Sequence, residues 1–149
     1  MAVGLGLTLS ICLRCRDGRE GSTDAVEQRG GCRLARAVVV ALDNSSAAEH
    51  GLILRGVHCM SQCKRPCTIA LSGPSRFSYL FGDLDPTQHV GDVLTVAAAY
   101  AQSADGFLPR SARPDVLRTG ILGRIPPLDV SNALVEPISP VPIRSLREG

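Results

Sequence analysis

Gly51-Leu52-Ile53-Leu54-Arg55-Gly56-Val57-His58 runs directly into Cys59-Met60-Ser61-Gln62-Cys63-Lys64-Arg65-Pro66-Cys67. The first eight residues read as a strand with a cysteine loop at its end. A similar junction lies upstream, where the β-compatible run Leu7 to Ile11 ends at Cys12-Leu13-Arg14-Cys15. Between the two, Arg16 to Gly31 is rich in Gly and charge and reads as a loop, with a helical turn near Asp24 to Gln28. From Cys32 onward Leu34, Ala37, Val38, Ala41 and Leu42 fall at helical spacing, until Asn44-Ser45-Ser46 stops them. Strand, crossover helix and strand form a βαβ unit, whose strands are parallel neighbours joined right-handedly. Both strands then end at a cysteine motif on the same sheet edge. Cys12 and Cys15 are thereby brought towards Cys59 and Cys63, across more than forty residues of sequence.

Downstream, Cys67 to Leu71 and Arg76 to Phe81 read as two strands joined by the hairpin signature Ser72-Gly73-Pro74-Ser75. Phe77, Tyr79 and Phe81 alternate, which places them on one face of the second strand as part of a core under a helix. Asp85-Pro86 supplies a helix start, with Asp as N-cap and Pro at the first helical position. Val90, Val93, Leu94, Ala97 and Ala101 give that helix its apolar stripe, ending near Ser103 to Gly106. Beyond Pro109 periodicity fades, and five of the ten prolines lie between Ile125 and Gly149. The expected fold is α/β, thioredoxin-like, with the order β-α-β-β-β-α. It comprises a domain over residues 1–108 and a Pro-rich extension over 109–149 that is partly irregular or disordered.

Composition narrows the function. The chain has 149 residues, a net charge of +2 and six cysteines, with no tryptophan. That charge is too small for a nucleic-acid footprint, no apolar run is long enough to span a membrane, and no repeat suggests a solenoid. The apolar start Met1 to Leu9 has no basic n-region and no cleavage site, and it reads as leading into the first strand. The expected setting is therefore a reducing cytoplasm, where clustered thiols bind metal or do redox work. No Ser-His-Asp set, catalytic carboxylate pair or phosphate loop occurs, so nothing positive points to an enzyme.

Cys12-x2-Cys15 and Cys59-x3-Cys63-x3-Cys67 hold five of the six thiols. Four thiolates at one point suit tetrahedral zinc or a [2Fe–2S] cluster. The x3 spacing and the long intervening unit fit a zinc ribbon less well. A thioredoxin-type dithiol would use Cys12 and Cys15, but it needs a helix starting at once, and Arg16-Asp17-Gly18-Arg19 follows instead. Simple burial of five small hydrophobes is the bland alternative. Cys32, near a helix start and outside both loops, is an incidental thiol. His58 alternates away from Cys59, while His50 and His89 stand at helix ends and are expected to be exposed.

The segments Val57 to Leu71, Tyr79-Leu80-Phe81-Gly82-Asp83-Leu84, Ser103-Ala104-Asp105-Gly106 and Arg124-Ile125-Pro126-Pro127-Leu128 resemble a bacterial family of small predicted metal-binding proteins of unknown function. Some of its members are encoded beside cobalamin or cobalt-handling genes. The resemblance covers roughly residues 7 to 128. That family is in turn similar to the thioredoxin-like [2Fe–2S] ferredoxins, in which one cysteine pair follows the first strand and a C-x3-C follows the second. The resemblance implies Cys12 as the first ligand and Cys59 and Cys63 as the last two. The second ligand departs from the ferredoxin pattern, being Cys15 after two residues or Cys32 after nineteen.

The candidate ligand set is Cys12, Cys15, Cys59 and Cys63, with Cys67 a substitute for any one of them. Arg14, Arg16, Lys64 and Arg65 would offset the thiolate charge, or are simply solvated loop residues. The expected function is a small cytoplasmic metal-binding protein, a ferredoxin-type electron carrier with a [2Fe–2S] cluster. The alternatives are a zinc- or cobalt-binding metal-handling module and a thiol oxidoreductase using Cys12 and Cys15. Its partner would be a redox protein or a metal-delivery partner docking on the cysteine edge, and the ferredoxin resemblance implies a homodimer.

Overall fold

The two cysteine-terminated strands lie side by side at one end of a five-stranded sheet. In the computed structural model, which describes residues 6–22 and 25–138, β1 (Thr8–Cys12) pairs in parallel with β2 (Ile53–Val57), Cys12 opposite Val57. The crossover between them is α1 (Gly30–Leu42), followed by a short 3-10 turn at Ser46–His50. Strand β3 (Ile69–Ser72) returns antiparallel on the other side of β1, and β4 (Ser78–Phe81) completes the hairpin. Helix α2 (Val90–Gln102) packs against α1. The order β-α-β-β-β-α is the one expected, and the sheet reads β2-β1-β3-β4 with one further strand at its edge.

That further strand corrects the reading beyond Pro109. A short helix α3 (Asp115–Thr119) leads into β5 (Ile121–Ile125), which pairs antiparallel with β4. An edge strand buries little of either face. None of its residues is fully buried, so it lacks the strong alternation that marks an inner strand. Residues 126–138 carry no regular element beyond a turn, which agrees with an irregular segment, and 139–149 lie outside the described residues, as do 1–5.

The helix-covered face of the sheet holds the core. Leu9 and Ile11 of β1 stand opposite Leu71 and Ile69 of β3, which stand opposite Tyr79 and Phe81 of β4. All six are buried, as is Phe77 before β4, so the alternating aromatics are core residues as expected. Tyr79 and Phe81 stack with ring centroids 5.7 Å apart, and Phe107 meets Phe77 edge-on at 5.4 Å. The buried Tyr79 hydroxyl is satisfied by accepting the Leu108 amide N–H at 2.8 Å. Burying each such ring contributes about 2–3 kcal/mol. On the opposite face the Arg55 Nε donates to the Ser10 hydroxyl at 2.7 Å.

Asp85 starts a capped turn rather than the regular helix. Its Oδ1 accepts the amides of Thr87 and Gln88 at 2.8 and 2.9 Å, and α2 begins one turn later with His89 as its N-cap. His89 is half-buried, because its Nδ1 accepts the Asp85 amide at 2.7 Å; His50 is half-buried too. Among the described residues, no helix is long and apolar enough to cross a membrane.

Candidate metal centre

Two consecutive glycines allow the first turn of α1 to press against the loop that leaves β1. A Cβ at Gly31 would lie 1.9 Å from the Cys12 carbonyl oxygen, so no larger residue fits. The Gly31 amide donates to the Cys15 carbonyl at 3.0 Å, tying the helix start to the first cysteine loop. A Cβ at Gly30 would lie 3.0 Å from the Cys67 sulfur and 2.8 Å from Asp17 Cβ. The helix thus begins four residues before the first position of the expected stripe. This also alters the case against a dithiol. Although Arg16 to Arg29 loops away, the N-terminus of α1 returns to the Cys15 backbone, so a helix start does stand beside the Cys12–Cys15 loop.

Glu20 closes the helix end from the loop. Its Oε2 accepts the Asp17 and Gly30 amides at 2.9 and 3.0 Å, and its Oε1 accepts Gly18 at 3.0 Å. Burial opposes ionisation, but the amides of Asp17 and Gly30 outweigh it and hold the carboxyl at about 2, against an ordinary 4.5. The ionised form is therefore favoured on folding. Its stabilisation is complete above the unfolded value and is lost as pH falls through the folded one. Glu20→Gln should cost about 1 kcal/mol at neutral pH, as loss of a helix cap does. The gap from the wild type should narrow between pH 4.5 and 2 in acid-unfolding curves; a gap independent of pH contradicts this. An ion pair from Arg33 to Asp17 and one from Arg19 to Asp85 at 2.6 Å anchor the same loop.

On the second side, Cys59 and Ser61 adopt left-handed backbone angles of 81° and 61°, bending the chain sharply after β2. With the Leu13 amide donating to the Val57 carbonyl at 2.9 Å, the two cysteine loops leave the sheet at the same edge, and the Met60 amide favours the Cys12 thiolate. Cys12 and Cys15 are both buried, and each acts on the other's thiol. Burial alone would raise the Cys12 thiol. The Cys15 thiol and the amides of Arg14, Met60 and Cys15 outweigh burial and hold Cys12 below its ordinary value. Cys15 is pushed the other way, to about 11, by burial and by its contact with Cys12; its sulfur also lies 3.7 Å from the Thr68 hydroxyl.

Cys59 and Cys63 are exposed and line one recess with Ser61, Gln62 and Lys64. The Ser61 amide donates to the Cys59 sulfur at 3.4 Å. Cys67 is fully buried beneath Gly30 and is raised to about 12, by burial first and then by the charges of Cys15 and Asp17. Cys32 is half-buried, with its thiol 3.5 Å from the Leu13 carbonyl. His58 is exposed. Of the cations expected to offset thiolate charge, Arg65 is paired instead with Asp83, its Nε donating at 2.8 and 3.0 Å. The described residues thus form a buried thiol pair and an exposed one at the same sheet edge. They contain no preformed group of three or more Cys, His, Asp or Glu placed to hold a metal.

The donor chemistry nevertheless suits a thiolate-bound metal. The amides of Arg14, Met60 and Cys15 favour the Cys12 thiolate, and the Cys59 sulfur accepts one amide N–H, the kind of interaction that stabilises coordinated sulfur. Sequence reasoning located the thiols but missed the Gly30-Gly31 close approach, whose only trace is two adjacent glycines before a helical stripe.

The fold is similar to that of a thioredoxin-like [2Fe–2S] ferredoxin from Aquifex aeolicus. One crystal structure of that protein matches with 12% identity and a TM-score of 0.51, over 85% of this chain and 98% of the ferredoxin. A cysteine-to-serine variant of it matches with 13% identity and a TM-score of 0.50, over 78% and 98%. At such identities the likeness is one of fold, and it makes this chain thioredoxin-like. No curated protein sequence matches. Residues 9–127 fit the family model described as protein of unknown function (DUF1636), and the chain belongs to that family.

Proposed function

We propose that this chain is a small metal-binding protein that carries a [2Fe–2S] cluster at its cysteine edge and works as a ferredoxin-type electron carrier. The observation that carries this reading is that both cysteine loops leave the same end of the parallel β1–β2 pair, where Cys12 stands opposite Val57 and the Leu13 amide donates to the Val57 carbonyl at 2.9 Å. The fold shared with a protein described as a [2Fe–2S] ferredoxin supports it. Cys12, Cys15, Cys59 and Cys63 would hold the cluster. When bound, it would supply one-electron transfer. The chain's own contribution is to favour the Cys12 thiolate, to donate an amide to the Cys59 sulfur and to leave the Cys59–Cys63 side open to a redox partner. A cytoplasmic setting suits such a cluster.

A second reading, thiol oxidoreduction by Cys12 and Cys15, draws on two buried thiols at C-x2-C spacing, on the lowered Cys12 and on the α1 N-terminus bonded to the Cys15 carbonyl. Anaerobic purification followed by absorption spectroscopy and metal and sulfide analysis tests both. The expected result is visible charge-transfer bands with about two irons and two sulfides per chain, as the cluster formula requires. A colourless protein with stoichiometric zinc, or a coloured one with stoichiometric cobalt and neither iron nor sulfide, overturns the cluster in favour of metal handling. A metal-free protein with a reversible Cys12–Cys15 disulfide overturns it in favour of the oxidoreductase.

A further inference from the structure

Away from the cysteines, residues 110–124 carry four arginines, Arg110, Arg113, Arg118 and Arg124, and a single carboxylate, Asp115, whose side chain is 96% exposed and pairs with Arg118. Arg113 is the unusual member. It is only 6% exposed, yet no carboxylate pairs with it among the described residues. Its NH1 donates to the Leu117 carbonyl at 3.0 Å, and its Nε has no partner. Burial, together with the charges of Arg110, Arg124 and Arg118, holds this guanidinium below the ordinary arginine value, with only Tyr79 acting in the opposite sense. A buried cation surrounded by like charge is costly unless an anion compensates it.

Two of the arginines whose charge reaches Arg113 also border an open part of the surface. Arg110, Ser111 and Arg118 line a shallow recess. Arg118 is fixed in orientation, its Nε donating to the Arg110 carbonyl at 3.0 Å and its NH1 to Asp115 Oδ1 at 2.7 Å. Its NH2 carries no bond, nor do the Arg110 guanidinium and the Ser111 hydroxyl, among the described residues. Arg124 lies 5.0 Å over the Phe107 ring, which holds its charge near the same face. Two guanidinium forks and a hydroxyl are the donor set that phosphate oxygens take up. Two arginines, one of them already paired with Asp115, meet in the recess and favour an anionic ligand.

We propose that the Arg110–Ser111–Arg118 recess binds a phosphate group, either free phosphate or the phosphate of a nucleotide. The recess is open, so it takes a terminal group rather than enclosing a whole ligand. The site stands apart from the cysteine reading and does not depend on it.

Titration of the full chain with inorganic phosphate and with adenosine monophosphate, followed by amide NMR shifts at constant ionic strength, tests this. Saturable shifts confined to residues 110–118 and a rise in unfolding temperature with phosphate are expected. Arg110→Gln and Arg118→Gln should each weaken binding at least fivefold, while Arg36→Gln, on the exposed side of α1, should leave it unchanged. Tighter binding of the nucleotide assigns the site to nucleotide phosphate, and equal binding assigns it to phosphate alone. Shifts that never saturate, that spread over every basic surface, or that persist unchanged in both recess variants overturn the proposal.

Discussion

Gly31→Ala should lower the unfolding temperature by about 10 °C, corresponding to about 3 kcal/mol in a chain of this size. The reason is local and severe. The added methyl would sit 1.9 Å from the Cys12 carbonyl oxygen, with the Cys12 and Leu13 carbonyl carbons at 3.0 and 3.1 Å. Backbone cannot move aside as a flexible side chain does, so the first turn of α1 must lift away from the loop. Lifting it breaks the bond from the Gly31 amide to the Cys15 carbonyl and uncovers Cys67. Gly91, near the start of α2, is the internal comparison. Nothing lies within 4 Å of a Cβ there, and its φ is not left-handed. Gly91→Ala should leave stability level or raise it by about 0.5 kcal/mol through helix propensity. Thermal unfolding of both variants decides the matter. A Gly31→Ala protein that melts within 2 °C of the wild type, on the roughly 3 °C per kcal/mol expected at this length, would falsify the close-approach argument.

The same glycine shows where sequence reading stops. The βαβ unit was legible because its apolar periods are strong and its strands end at cysteines. Convergence of Cys12 with the second loop followed from topology alone. What did not follow was how the edge is finished. Gly30-Gly31 reads as loop because glycine is a poor helix former, yet it begins α1, since only glycine allows the helix that near β1. Cys67 follows a proline at a strand start, where spacing leaves its direction open; packing beneath Gly30 turns it into the core. Arg65 looked like a counter-charge for thiolates, but Asp83 lies eighteen residues on and takes it up. Strand β5 escaped notice because Gly123 dilutes its pattern and Pro126 follows at once, so the proline-rich composition of the tail outweighed a five-residue strand. In each case the deciding contact is long-range, and local pattern does not encode it.

Replacing Cys12 by Ser should abolish iron binding altogether, a larger effect than any change in affinity from loop residues. Cys12 ends β1 at the edge the two loops share, and the amides of Arg14, Cys15 and Met60 favour its thiolate. A serine hydroxyl keeps the volume, but at neutral pH it gives no anion to coordinate iron. Cys59→Ser and Cys63→Ser should have the same consequence from the exposed side of the edge, and neither should change stability much, because both side chains face solvent. Cys32→Ser, on the flank of α1, should retain iron. Cys67→Ser separates structure from ligation. It leaves the proposed ligand set intact but puts a hydroxyl into a fully buried site, so it should retain iron while losing about 1–2 kcal/mol of stability. Iron and sulfide content, read beside thermal unfolding of each variant, distinguishes the two roles. Iron lost from Cys67→Ser at unchanged stability would move Cys67 into the ligand set. Iron retained by Cys12→Ser would remove the sulfur around which the two loops are arranged, and the cluster reading with it.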